Sequence, residues 1–216
     1  MTEVTLFAGP SAHGIDKRRF DAAGVRLLPP ARRDDVARLV GSGPPGVLIL
    51  ADGVFQVAPA VSHAELCRAI DLGWQAWGVS SLGAIRAAEL RHEGMRGFGW
   101  VYEAFAGEPG LHDDEACLLH FPEAPWFPVS EALVNVRCAL QRRGDRFGIK
   151  PAAALAVVQA LRGQWFGLRT VDRIEALLQH AGLSVEGARH FTAWLQRHPV
   201  KTLDLLHLLR RRPWLS

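Results

Sequence analysis

The first half of the chain alternates short apolar runs with segments of helical period. Val4–Ala8, Val25–Leu28, Val47–Leu50 and Trp74–Val79 read as strands, and Val47–Leu50 has the continuous apolar character of a strand buried on both faces. Between and after them, Asp16–Ala23, Arg33–Val40, His63–Leu72 and Ser81–His92 read as helices. Gly9-Pro10-Ser11, Pro29-Pro30, the loop Gly41-Ser42-Gly43-Pro44-Pro45, Asp52-Gly53 and Gly73 punctuate the pattern. Strand and helix joined by short connections predict an α/β fold, a short parallel sheet covered by helices on both faces. Ligands of such sheets gather at the carboxyl ends of the strands, so Gly9–Ser11, Asp52–Gly53 and Ser80–Ser81 are expected on one edge.

After Gly94 the pattern becomes helical. Phe98–Phe105 and Glu131–Arg142 read as helices, and Cys117–Phe121 as an edge strand. From Lys150 on, Pro151–Arg162, Val171–Ala181, Val185–His198 and Thr202–Arg211 form a C-terminal all-helical extension, broken at Gly163, Gly182 and Pro199. Residues 1–124 are therefore expected to form the α/β core. Residues 125–216 are expected to form a helical part that partly completes the core and extends it. Trp165, Trp194 and Trp214 fit packing anchors better than a ligand cage.

The chain has 216 residues, 49% hydrophobic and 22% charged, which suits one sizeable globular domain or a domain with an appendage. The N-terminus lacks the basic region and apolar core of a signal peptide, and no apolar run reaches the roughly 18 residues that span a bilayer, so a cytoplasmic protein is expected. Cys67, Cys117 and Cys138 lie far apart in apolar contexts and read as buried, reduced thiols. The net charge of +3 hides an asymmetry: residues 1–124 carry −5 and residues 125–216 carry +8. That basic part is either a solvated face or a surface for an acidic partner. No zinc-finger spacing or aromatic RNA-binding motif points to nucleic acid.

Candidate chemistry centres on Trp77–Leu90, WGVSSLGAIRAAEL, where a strand turns through serines and glycine into an Ala-rich helix. Ser80, Ser81 and the amides through Gly83 could hold a carboxylate or an oxyanion at the helix start, or Ser81 could simply cap the helix. Gly78-Val79-Ser80-Ser81-Leu82-Gly83 is one residue longer than the Gly-x-Ser-x-Gly nucleophile elbow. His63 opens a helix after the Asp52-Gly53 loop and could act as a general base, with the alternative of a capping or core histidine. Arg86 and Glu89 are three apart on the Ser81 helix, giving either an anion-binding arginine or a structural ion pair. His112-Asp113-Asp114-Glu115 could be taken for metal ligands, but consecutive residues match no known ligand spacing, and a solvated loop is the better reading. No P-loop or dinucleotide fingerprint occurs. Neither a metal nor a cofactor is expected.

Several ordered segments resemble the TfuA-like proteins. They are Gly9-Pro10-Ser11, Leu28–Arg33, Asp52–Phe55 through Val57–His63, Gly78–Leu90, Gly94–Phe105, Asp113–Glu115 and Ser130–Arg137. The resemblance spans roughly residues 5–140. It implies an accessory role in peptide backbone thioamidation beside a YcaO enzyme, with a precursor peptide as substrate. In that role the protein would release sulfide by hydrolysing the C-terminal thiocarboxylate of a ThiS-type ubiquitin-like carrier. Carried over motif by motif, the resemblance marks Asp52, His63, Ser81, Arg86, Glu89, Asp114 and Arg137. Acyl hydrolysis needs an oxyanion site and an activated nucleophile or water. Either Ser81 attacks directly, or His63 activates water while Ser81 and the Leu82 and Gly83 amides bind the developing charge. Asp52 would orient His63 or Arg86, and Arg86 would supply positive field. The alternative is a non-catalytic adaptor that binds YcaO, carrier or peptide, with the basic C-terminal part as its working surface. A hydrolase for another thioester or carboxylate is a third reading, and a homo-oligomer is compatible with all three.

Overall fold

A computed structural model describes residues 2–54, 58–107 and 110–215. Phe55 and Val57 of the family-like run lie outside the described residues. The chain divides into two compact units, residues 1–111 with 201–216, and residues 112–200.

The first unit is a five-stranded, all-parallel sheet in the order β2-β1-β3-β4-β5, with β1 at Val4–Phe7, β2 at Val25–Leu28, β3 at Val47–Leu50, β4 at Gln75–Val79 and β5 at Arg96–Phe98. Both β1 and β3 are buried throughout, as strands covered on two faces must be. Alternation along the strands sends Val4, Leu6, Val47, Ile49, Trp77 and Val79 to one face. There they pack on Phe20 and Ala23 of helix α1 (Lys17–Ala23) and on Leu205, Leu208 and Leu209 of α10 (Val200–Arg211). Phe7, Leu48, Leu50 and Ala76 point to the opposite face. They meet Val36 and Val40 of α2 (Asp35–Gly41), Leu66 and Ala69 of α3 (His63–Asp71), and Leu82 and Ala87 of α4 (Leu82–Glu89). The α/β architecture with a short parallel sheet is as expected from the periodicity.

Two elements differ from expectation. Helix α5 (Trp100–Gly107) starts later than Phe98 because Arg96-Gly97-Phe98 pairs with Trp77–Val79 as β5. Three residues centred on a glycine are too few to show a period of two. Among the described residues Cys117–Phe121 forms no strand, and its one ladder contact there is an isolated antiparallel bridge between His120 and Pro128. Helix α10, from the helical part expected to complete the core in part, packs its leucine stripe on one face of the sheet.

The second unit packs α6 (Leu133–Arg143), α7 (Pro151–Arg162), α8 (Val171–His180) and α9 (Val185–Arg197) around Leu133, Val136, Leu161, Ile174, Leu178 and Phe191. Thr170 and Ser184 cap α8 and α9 by accepting first-turn amides. Counted by unit, the charge asymmetry disappears: the first unit carries +2 and the second +1. Much of the C-terminal charge sits in Arg210, Arg211 and Arg212 at the end of α10, which belongs to the sheet unit. Cys117 and Cys138 are buried, and Cys67 is half-buried. Among the described residues no helix is long and apolar enough to cross a membrane.

Candidate functional site at the carboxyl edge of the sheet

Glycines force the turn from β4 into α4 to be tight. A β-carbon on Gly78 would lie 1.9 Å from the Gly83 carbonyl oxygen, and one on Gly83 would lie 1.6 Å from the Leu50 carbonyl oxygen, so strand and helix backbones touch there. Between them Ser80 adopts φ = 66°, and the Ser81 N–H donates to the Val79 carbonyl at 2.7 Å, closing a γ-turn. A left-handed non-glycine residue costs about 1–3 kcal/mol and persists where surrounding structure over-determines it. Asp34, Trp126 and Arg212 also have positive φ among the described residues, but Ser80 alone of the four is fully buried. The glycine pair and the strained serine give the form of a nucleophile elbow with one extra residue.

The serines have different environments. The Ser80 hydroxyl donates to the Lys201 carbonyl of α10 at 2.7 Å. Ser81 is 5% exposed and sits at the N-cap of α4 without a side-chain capping bond, so its hydroxyl does not serve the helix as a simple cap. The Gly83 amide, expected to face a substrate, instead donates to the Ala51 carbonyl at 3.2 Å. Ala84 and Ile85 share the Ser81 carbonyl, while the Leu82 amide makes no hydrogen bond among the described residues.

Asp52 follows β3 and lies where the strand order switches direction, between the carboxyl ends of β1 and β3. Its carboxylate accepts the Gly9 and Ser11 amides, both at 2.8 Å, and the Ser11 hydroxyl at 2.7 Å. These bonds correct its expected role. Asp52 ties the β1 loop to the end of β3 and orients neither His63 nor Arg86.

That orienting role falls to Glu89. Its Oε2 accepts from Arg86 Nη1 at 2.6 Å and pairs with His63 Nε2 at 2.7 Å, while Arg86 Nε donates to the Val61 carbonyl at 3.2 Å. Glu65 is committed to a capping box with Ser62. Glu89 lies eight residues beyond Ser81, about 12 Å of helical rise. His63 therefore bonds the far end of α4 rather than Ser81, and Arg86 has its charge answered by Glu89.

Buried polar residues of the first unit otherwise collect at one edge. Ser11 and Asp52 lie at the ends of β1 and β3, and Ser80 and Ser81 at the end of β4. Lys201, 2% exposed, is fastened to Ser80 by its carbonyl. Asp204 accepts the Val101 amide at 2.9 Å beside Gly99, just past β5. Thr5, inside β1, is the exception among the described residues. Sequence reading missed Lys201 and Asp204. The available signal was their place at helical spacing on the stripe that continues through Leu205 and Leu208. It also passed over His13, half-buried after the Pro10–Ala12 turn that Asp52 anchors.

Asp114 and Arg137 belong to the second unit. Asp114 and Glu115 sit in a short 3-10 turn, Asp113–Ala116. Arg137 of α6 grips the fully buried Glu115 through two nitrogens at 2.8–3.0 Å, and Arg162 of α7 approaches it at 3.6 Å. Arg169, itself fully buried, reaches Asp114 at 2.5 Å. Glu115 is therefore an arginine-clamped core residue and Asp114 a half-buried one, while His112 and Asp113 are exposed to solvent. Among the described residues no group of three or more His, Cys, Asp and Glu side chains is arranged to hold a metal.

A doubly wound parallel sheet with a strained serine turn and buried polar groups at its carboxyl edge defines an α/β protein whose site lies on that edge. The model of the TfuA-like protein family matches residues 52–170, and the chain belongs to that family. No curated protein matches it. The matched span includes Asp52, His63, the Ser80–Gly83 turn, Arg86, Glu89, Asp114 and Arg137, and stops short of Lys201.

Proposed function

We propose that this protein assists YcaO-dependent peptide backbone thioamidation in the cytoplasm by hydrolysing the C-terminal thiocarboxylate of a ThiS-type carrier. Water adds at the acyl carbon, the carbon–sulfur bond breaks, and the products are a carboxylate and hydrogen sulfide. The observation that carries this reading is the strained Ser80–Ser81 turn among buried polar groups, in a TfuA-like chain. Ser81 is the nucleophile or the group that binds the attacked oxygen, and the Leu82 amide is the backbone donor suited to that oxygen. His13, which follows the loop tied to Asp52, and His63, whose Nε2 pairs with Glu89, are the candidate bases. Lys201 joins Arg86, which is paired with Glu89, as a candidate source of positive field.

The test is sulfide release from a thiocarboxylated ThiS-type carrier by the purified protein without YcaO. Release by the wild-type chain, lost in folded Ser81→Ala, is the expected result. Wild-type release no faster than the uncatalysed reaction overturns the hydrolase reading in favour of an adaptor for YcaO, carrier or precursor peptide. The adaptor reading is itself favoured by one observation, the arginine-lined end of α10.

A further inference from the structure

A groove of about 380 Å³ runs between α1 and α10 on the sheet unit. Its floor is apolar, made by Ala23 of α1 and by Leu203, Leu206 and Leu209 of α10, and Arg19, Arg210 and Arg212 line it with exposed guanidinium groups. A second cleft of about 560 Å³ adjoins it, sharing His207 and Arg210 and adding Phe98 and Arg211. No carboxylate lines either opening, and among the described residues none of these four arginines forms an ion pair. Elsewhere in the same unit Arg18, Arg26, Arg38 and Arg86 each meet an acidic side chain, while Arg32, Arg33, Arg68, Arg91 and Arg96 form no ion pair among the described residues and line neither opening.

We infer that this groove docks an acidic, amphipathic peptide segment of a partner protein. Charge complementarity selects the occupant. Guanidinium groups clustered along one groove without an ion pair bind carboxylates, and an apolar floor takes aliphatic or aromatic side chains of the same segment. A phosphate backbone would satisfy the arginines but leave Leu203, Leu206 and Leu209 facing charge, which argues for a peptide over a nucleic acid. The surface is independent of the serine turn, so it stands or falls apart from the hydrolase reading.

The experiment titrates the full chain with a fluorescent peptide of alternating Leu and Glu, and in parallel with a Leu/Gln peptide, a Ser/Glu peptide and a single-stranded oligonucleotide. Preferential binding of the Leu/Glu peptide is expected, weakening with salt, with each control at least roughly tenfold poorer. Arg19→Glu and Arg210→Glu should each weaken it by a similar factor. Both residues are exposed, so folding is preserved, and Leu206→Ser tests the floor independently. Equal affinity for the Leu/Glu and Ser/Glu peptides, tighter binding of the oligonucleotide, or undiminished binding by the folded arginine variants overturns the proposal.

Discussion

The carboxyl edge of the sheet and the acid–arginine cluster of the helical unit both bury charged residues from family-like motifs, yet they do so in opposite ways. At Glu115 and Asp114 each carboxylate meets guanidinium groups, so the charges answer one another and the cluster closes upon itself. At the edge, Asp52 is answered by backbone amides and a hydroxyl, Ser80 is held in a strained conformation, and Lys201 is buried beside a turn whose serine does no capping. The first arrangement is spent on holding helices, and the second gathers polar groups around a turn held in an unusual backbone conformation. Membership of a motif does not separate them; the bonding does.

Breaking the clamp should give the largest loss of stability. Glu115→Ala leaves Arg137 without its carboxylate in a nearly buried position, and removing one partner of a buried pair costs about 3–5 kcal/mol. Urea unfolding should show that loss, while sulfide release per folded molecule stays at the wild-type level. A variant that keeps its stability but loses release would move the chemistry to the second unit.

The edge should behave in reverse. Ser81→Ala should lower release roughly a hundredfold or more, an effect worth about 2.7 kcal/mol, with a smaller loss of stability because no capping bond is removed. Equal losses of release and of stability would make Ser81 a structural residue. Lys201→Met removes a buried charge next to the serine turn, and release per folded molecule should fall roughly tenfold. Unchanged release by folded Lys201→Met would leave the role of cation to Arg86.

Much of this comparison was legible in the sequence, and the missing parts share a cause. The continuous run at Val47–Leu50 could only be a strand buried on both faces, and glycines at 78 and 83 flanking two serines announced a tight turn. Periodicity reports which face of an element is apolar but not what covers it, so the stripe of α10 did not reveal which helix completes the core, and Lys201 and Asp204 went unnoticed with it. Spacing along one helix suggested that Arg86 and Glu89 interact, and they do. It could not show that His63, 26 residues from Glu89 in sequence, would take the same carboxylate. Asp52 looked catalytic because it ends a buried strand, and only the fold shows its oxygens consumed by the neighbouring loop.

The smallest expected effect falls on the residue that a sequence-based triad most needs. His63 is half-exposed and its partner Glu89 is more than a third exposed, so their pair is worth about 0–1 kcal/mol. His63→Ala should shift the unfolding midpoint slightly and leave sulfide release within a few-fold of wild type, whereas His13→Ala should reduce release more. The two substitutions together locate the base. A loss with His63→Ala as large as with Ser81→Ala would require the His63–Glu89 pair to open and the ring to approach the serine turn during turnover. The bonding in α4 would then be a resting arrangement, and Glu89→Gln, which weakens that pair, should alter release in the same assay.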